Sequence, residues 1–413
     1  MTKTILSLIG CCLIQVLAFG QKAAPVYEFK NGNWYDGEGF TPGTWYTVDG
    51  KFTKKTPAKV DSVFDLAGRW VVPPLADAYC SSLTGNPSAP NQLNFCTEEG
   101  IFYLQVLGNS LEDRKAVASL VNKANGPDVA FANGGVTCTL GYPFLQFEGP
   151  AQGIRNPQLM KQQYDKLKLL RSMEGNGYWY MDSKAAVGKA WEKIKTQSPN
   201  LISIYLLDVA NSGGKEGKGL TAEVAKEVVK KAHKSGWPVY AHVETAADVA
   251  LGLKLGVDGF ANLPGHNWDG TGDAKKYELS DDDLKKLAKK KTPVIPLFSH
   301  AQSMTPRPGM QEAQSKLLKR LLSNGVNVVI GSDDIQRTIR GELNYWFQFG
   351  DLNYSQTLKI LCVNTPQAIF PKRKIGRIAD GYEASFIVLS DNPLTNLLKL
   401  RAIAYKVKNG MVF

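Results

Sequence analysis

Asp65-Leu66-Ala67-Gly68-Arg69-Trp70-Val71-Val72-Pro73-Pro74-Leu75-Ala76-Asp77-Ala78 is the stretch on which the reading of this chain turns. Upstream of it, from Tyr27 to Trp70, the dipeptides Asn31-Gly32, Asp36-Gly37 and Asp49-Gly50 separate short β-prone runs such as Trp45-Tyr46-Thr47-Val48. That is the punctuation of antiparallel hairpins. Downstream the rhythm becomes strand, helix, strand, helix. Apolar runs recur at Val71–Tyr79, Ile101–Leu107, Val129–Ala132, Leu201–Leu207, Val239–His242, Val257–Ala261, Val294–Phe298 and Val326–Ile330, which makes eight candidate strands. Leu220, Val224 and Val228 form an i, i+4 helical stripe, and Ser235-Gly236 followed by Pro238 stops that helix before the next strand. Eight such units in an α/β chain predict a closed parallel (β/α)8 TIM-type barrel over an open sheet.

After Phe370 the β-type punctuation returns, with Gly376, Asp380-Gly381, Phe386-Ile387-Val388-Leu389, Asn392-Pro393 and a final Asn409-Gly410 turn. Both chain ends are therefore expected to build one small β-sandwich from residues 21–70 and 371–413, interrupted by a barrel over 71–370. Residues 138–183 are the least regular stretch, with a Gly/Pro-rich start and the aromatic Tyr178-Trp179-Tyr180, and suit a lid over the catalytic end of a barrel. A length of 413 residues accommodates this plan, and 43% hydrophobic with 21% charged residues excludes disordered and fibrous classes.

The first residues read as an export signal. Lys3 is a short basic n-region, Ile5 to Phe19 are nearly all apolar, and Ala18-Phe19-Gly20 presents small residues for cleavage before Gln21. This predicts a signal peptide over 1–20 and a secreted or periplasmic protein. Leu8-Ile9-Gly10-Cys11 also resembles a lipobox, but cleavage there would leave the apolar Cys12–Phe19 at the front of the mature chain, so a lipoprotein is the less favoured reading. No other stretch approaches the ~20 apolar residues of a membrane span. The mature cysteines Cys80, Cys96, Cys138 and Cys362 have no CxxC spacing; Cys80 and Cys138 follow strands at the same barrel face, as separate thiols or as a pair. The charge of +11 becomes +10 once Lys3 leaves, because residues 1–20 hold no acid. The basic clusters at 230–234, 285–291 and 372–374 read as solvated faces and turns, and no nucleic-acid motif accompanies them.

The Asp65–Ala78 run resembles the sandwich-to-barrel junction of the metal-dependent amidohydrolase superfamily, D-x-x-G-x-x-V-x-P-G-L-I-D-x-H-x-H, closest to the imidazolonepropionase-like branch. Ile375-Gly376-Arg377-Ile378 through Gly381, Ala384, Phe386–Leu389, Asp391 and Pro393-Leu394 is similar to the family's tail, while Val239–Val243 and Ile330-Gly331-Ser332-Asp333 resemble its fifth and eighth strand ends. The resemblance implies hydrolysis of non-peptide amide or cyclic amide bonds by one or two divalent metals, commonly zinc, at the C-terminal face of the barrel. The implied ligands are an H-x-H on strand 1, often a carboxylated lysine on strand 4, histidines on strands 5 and 6, and an aspartate on strand 8. Here the H-x-H falls on Tyr79-Cys80-Ser81, the lysine on Ser203 and the strand 6 histidine on Asn262; His242 and Asp333 alone match. Each half of a binuclear centre keeps one ligand, where a catalytic zinc needs three.

These positions predict an exported amidohydrolase-like protein without its metal. His242 and Asp333 would remain as remnants of the catalytic site, and Tyr79, Ser81, Ser203 and Asn262 would line a pocket where ligands are lost. It would take a small-molecule ligand, or partner an active paralogue or a second copy of itself. Two alternatives stay open. One is an active hydrolase with a non-standard site using His242, Asp333 and His266 or His300, although the latter two are expected on solvated loops. The other is a basic glycan- or surface-binding protein. His233, on a Lys-rich helical face, and Asp334 are read as surface residues.

Overall fold

Asp36-Gly37 and Asp49-Gly50 turn the chain between the first three strands, as their composition predicts: β1 (Tyr27–Tyr35), β2 (Phe40–Val48) and β3 (Lys51–Thr53) are antiparallel neighbours. Asn31-Gly32 does something else. It lies inside β1 as a bulge, with Asn31 in the left-handed region at φ 58°. The computed structural model describes residues 25–83, 88–208, 218–349 and 353–413, so the leader expected over 1–20 and its lipobox variant lie outside the described residues.

The remaining strands are β4 (Ser62–Asp65), β5 (Trp70–Val72), β6 (Leu75–Asp77), β7 (Ile101–Val106), β8 (Asp128–Phe131), β9 (Gly135–Thr137), β10 (Tyr178–Tyr180), β11 (Ile202–Leu206), β12 (Val239–Val243), β13 (Gly259–Ala261), β14 (Val294–Ile295), β15 (Phe386–Leu389), β16 (Ile403–Lys408) and β17 (Met411–Val412). Strands from both chain ends share one sheet in the order β17-β16-β15-β5-β1-β2-β3, with β4 against β1. Phe29, Trp34, Trp45, Phe52 and Phe386 form its own aromatic core, and the Phe29 and Phe386 rings meet edge-on at 5.0 Å.

The parallel strands form two runs, β6-β7-β8 and β10-β9-β11-β12-β13-β14. Residues 326–333 carry no assigned strand. A Val294–Val328 bridge links them to β14, and the Ala78 N–H donates to Ile330 O at 2.8 Å, beside β6. The run Val71–Tyr79, expected as one strand, is two. Pro73 and Pro74 lack N–H donors, so β5 stays in the composite sheet and β6 begins the parallel run.

Helices flank the parallel strands. In Ala222–Lys234, Thr221 caps the N-terminus by accepting from the Val224 N–H, and Val224, Ala225, Val228, Val229 and Ala232 are buried. Each valine contributes roughly 1.5–3 kcal/mol by leaving water. Gly236 at φ 77° and Pro238 then release the chain into β12. Residues 138–183 are more regular than expected, holding helices Phe144–Ala151, Pro157–Gln162 and Tyr164–Leu167 besides β10. The buried Glu148 carboxylate ties this segment down, accepting from Tyr178 Oη at 2.7 Å and the Met173 N–H at 2.8 Å. Among the described residues no helix is long and apolar enough to cross a membrane.

Candidate functional site

Asp77, at the end of β6, holds the first and last parallel segments together. Its Oδ1 accepts from the Tyr79 and Ser332 N–H groups, both at 3.0 Å, and its Oδ2 accepts from the Ser332 hydroxyl at 2.6 Å. Burial raises its pKa to about 6. Tyr79 O in turn accepts from the Ser332 and Asp333 N–H groups at 3.2 and 2.8 Å. This places Tyr79, Ser81 and Asp333 side by side. The Ser81 hydroxyl donates to Asp333 Oδ1 at 2.5 Å.

On β11 and β12 the register pairs Tyr205 with His242, so both side chains leave the sheet on one face. The Tyr205 and His242 rings stack at 4.3 Å, and Tyr79 meets His242 edge-on at 5.5 Å. Ser203, two residues before Tyr205, sits 2.9 Å from His242 Nε2. Ser203 and His242 are 1% and 2% exposed. Two glycines make room for the tyrosines. A Cβ on Gly135 would meet the Tyr205 ring at 2.5 Å, and one on Gly331 would meet Tyr79 Cβ at 2.8 Å. Tyr142, exposed, packs edge-on over Tyr205 at 5.3 Å.

Three left-handed residues stand here: Asn262 (φ 69°) just after β13, Leu297 (φ 55°) just after β14, and Asp333 (φ 42°) at the end of the segment 326–333. Such conformations cost a branched side chain about 1–2 kcal/mol and persist where the surroundings impose them. Leu297 starts the helix Phe298–Met304, whose first N–H groups, from Phe298 and Ser299, donate to the buried Glu342 carboxylate at 2.8 and 2.7 Å. That helix carries His300. Its Nδ1 lies 3.0 Å from His266 Nε2 and 3.5 Å from Asp333 Oδ2.

Two findings correct the expectation that His266 and His300 ride on solvated loops. His266 is 5% exposed, and both rings join Asp333 in one cluster, because the left-handed turns fold the post-strand segments inward. Asn262 joins neither set. The pairing puts Ala261 beside His242, and Asn262 follows β13 with its buried Oδ1 accepting no hydrogen bond. Cys80 and Cys138 carry no disulfide, and neither do Cys96 and Cys362. His233 is exposed and reaches Asp258 at 2.8 Å, and Asp334 caps the Gln336 and Arg337 N–H groups. Tyr205 was not singled out in the sequence. Its signal is period two: it lies on the same strand face as Ser203.

Ser203 and His242 have the spacing of a nucleophile and its base, but burial pulls the His242 pKa down to about 3. So weak a base accepts a serine proton poorly near neutral pH. Burial also draws His266 down to about 3, with His300 next in effect, and raises Asp333 above the ordinary carboxylate range against the pull of His300 and Ser81. The His266 and His300 rings lie nearly parallel, 18° apart, and share a hydrogen bond, which engages one nitrogen of each ring. Among the described residues no three His, Cys, Asp or Glu side chains are grouped so as to hold a metal ion.

The model of the amidohydrolase family matches residues 130–412. Ochratoxinase from Aspergillus niger is 22% identical over 202 residues, which are 46% of this chain and 41% of that protein; the chain thus spans about two fifths of the length of that relative. The crystal structure of the same A. niger enzyme superposes with a TM-score of 0.71 at 16% identity, covering 95% of this chain and 96% of that one. A Xaa-Pro dipeptidase with methionine bound in its active site superposes at 0.69 and 17%, covering 94% and 99%. The fold is a TIM-barrel-like α/β arrangement with a β-rich portion, and the chain belongs to the amidohydrolase family.

Proposed function

We propose that this chain is an exported, catalytically degenerate amidohydrolase that binds a small molecule where its relatives hydrolyse amide bonds. The observation that carries the reading is the filling of the site: Tyr205 stacks on His242, Tyr79 closes its edge, and Ser203 occupies Nε2. The donors at the aligned positions do not fit a catalytic zinc. Tyr79, Ser81 and Ser203 offer hydroxyls, Asn262 an amide, and burial raises the Tyr79 phenol well above its ordinary pKa, so no phenolate is at hand. Export rests on the leader read at 1–20. The fold in this proposal is a closed eight-stranded barrel over 71–370 with residues 326–333 as its last strand, and a sandwich from 21–70 and 371–413. Ala78–Ile330 pairing and the mixed-end sheet support both.

Elemental analysis of protein never exposed to a metal-affinity column should find no stoichiometric zinc, manganese or iron. The same protein should leave N-acyl amino acids, dipeptides and lactams intact when metal is supplied. One tightly held metal per chain, lost to chelator together with hydrolysis, would overturn the reading.

A second reading has its own support. Ser81, Asp333, His300 and His266 form a row in which Ser81 hydrogen-bonds Asp333, Asp333 faces His300 Nδ1 at 3.5 Å, and His300 shares a hydrogen bond with His266. As a general acid–base site it would supply about 10²–10⁴-fold acceleration, enough for an activated ester and small against an unactivated amide. Ester turnover abolished by His300→Ala and spared by His242→Gln would favour it.

A further inference from the structure

Beside the tyrosine-filled centre, between the segment following β13 and the helix Met310–Ser323, lies a cavity of about 810 Å³, in the range drug-sized ligands occupy. Leu263, Pro296, Phe298, Ala301 and Leu317 give it an apolar floor. Trp268 and Tyr277, their rings stacked on one another 4.9 Å apart at 24°, add an aromatic wall to the lining. The Arg307 guanidinium lies 4.9 Å over the Trp268 ring, and its Nη1 donates to Trp268 O at 2.7 Å. That bond fixes one arm of the fork. Among the described residues Arg307 makes no ion pair, and burial disfavours its charge by more than the nearby Asp269 carboxylate restores.

His266 also lines the cavity. Its Nε2 is taken by His300, while its buried Nδ1 has no hydrogen-bond partner. The charges at the rim are mixed but lean one way. Arg320 is tied to Asp281 at 2.5 Å, which leaves Lys275, Lys316 and Arg307 against Glu278.

We propose that this cavity binds a small amphipathic carboxylate, its apolar body against the Trp268–Tyr277 wall and its carboxylate on Arg307. Asp333 Oδ2, 3.5 Å from His300 Nδ1, favours a proton on that nitrogen; His266 Nε2 then accepts it, and the neutral His266 carries its own proton on Nδ1, where it donates to a ligand oxygen. A carboxylate answers both unmet needs at once: it pairs the half-buried guanidinium and partners the buried imidazole N–H. An uncharged ligand can accept from His266 but leaves the guanidinium without a counter-charge. This inference rests on the binding half of the proposed function and names the site and ligand class.

The test compares 4-phenylbutyrate with 4-phenylbutan-1-ol on the full chain, by calorimetry and by tryptophan fluorescence, which Trp268 reports. The acid should bind about tenfold or more tighter than the alcohol, the scale of one charge-assisted contact. Arg307→Met should bring the two probes within about threefold of each other, and Arg307→Lys should keep part of the preference. Ala313→Trp, on an exposed helical position lining the cavity, should block both probes and keeps the test open where an arginine variant fails to fold. Equal binding of acid and alcohol, no binding of either at millimolar concentration, or full binding by Ala313→Trp would each overturn the site. Metal content is read separately. A metal-loaded hydrolase that still binds phenylbutyrate through Arg307 defeats the degenerate reading alone, and a metal-free chain that binds neither probe defeats this site alone.

Discussion

His242 stays neutral because it is 2% exposed, and no neighbouring carboxylate offsets that burial. The consequence is a pH dependence of known sign. In the unfolded chain a histidine takes its proton near pH 6.5, whereas folded His242 waits until about 3. Below pH 6.5 the unfolded state therefore binds the extra proton, and stability falls as pH drops towards 3, by roughly 1.4 kcal/mol per pH unit. Asp77, raised to about 6, works against this over its own window, losing stability as pH rises from ~3.9 towards 6. The difference between wild type and His242→Gln isolates the histidine. Urea unfolding at stepped pH should show that difference changing by roughly 1.4 kcal/mol per unit between pH 6 and 4; a pH-independent difference would mean the imidazole is protonated in the fold. At this scale the sequence singled out His242 and Asp333 because both sit in recognisable motifs, and the structure sets Ser203 against the first and Ser81 against the second. It did not show where His266 and His300 point. Their inward turn depends on left-handed backbone at Asn262 and Leu297, and neither residue type announces it.

Between elements, one glycine makes room for one tyrosine beside His242. Gly135 on β9 faces Tyr205 on the neighbouring β11, and an added Cβ would stand 2.5 Å from the ring. Gly135→Ala should cost about 1–3 kcal/mol, since a close-packed interior resists even one methyl. Tyr205→Leu removes the ring tip and should absorb part of that cost, so the double mutant should be less destabilised than the sum of the singles by about 0.5–3 kcal/mol. A denaturant double-mutant cycle that came out additive would show that the two side chains do not compete for this space. The same scale explains where strand reading failed. Period and composition located β7, β11 and β12 well, because fully buried parallel strands are apolar on both faces. They ran through Pro73-Pro74, where hydrogen bonding changes sheets without a change in hydrophobicity. They also read Asn31-Gly32 as a turn, although the same left-handed tolerance serves a bulge.

Across the whole molecule, the mixed-end sheet and the parallel strands are held by a charge cluster that hydrophobic patterning could not reveal. Lys408, on β16, is 1% exposed; its ammonium donates to Asp128 Oδ1 at 2.6 Å, to Lys123 O at 2.7 Å and to Gly126 O. Asp128 opens β8, and its other oxygen lies 2.8 Å from Arg373, which also grips Glu383. The basic run at 372–374 was expected to be solvated, yet Arg373 is only partly exposed, its guanidinium packed 4.8 Å over Phe370 and engaged by both carboxylates. A lysine near a chain end and an aspartate 280 residues earlier share no local signal. Lys408→Met keeps most of the apolar stem and deletes the charge, leaving two carbonyls and half of Asp128 without a donor. Breaking a buried pair in this way costs roughly 3–5 kcal/mol, and the lower end is expected here because Arg373 still holds Asp128. The loss should also fall on coupling. Near-UV dichroism, to which Trp34 and Trp45 of the sheet's aromatic core contribute, should report a transition at lower denaturant than far-UV dichroism in Lys408→Met, where the two coincide in wild type. A variant within about 1 kcal/mol of wild type with coincident transitions would assign the joint to apolar packing through β5 and β15 instead.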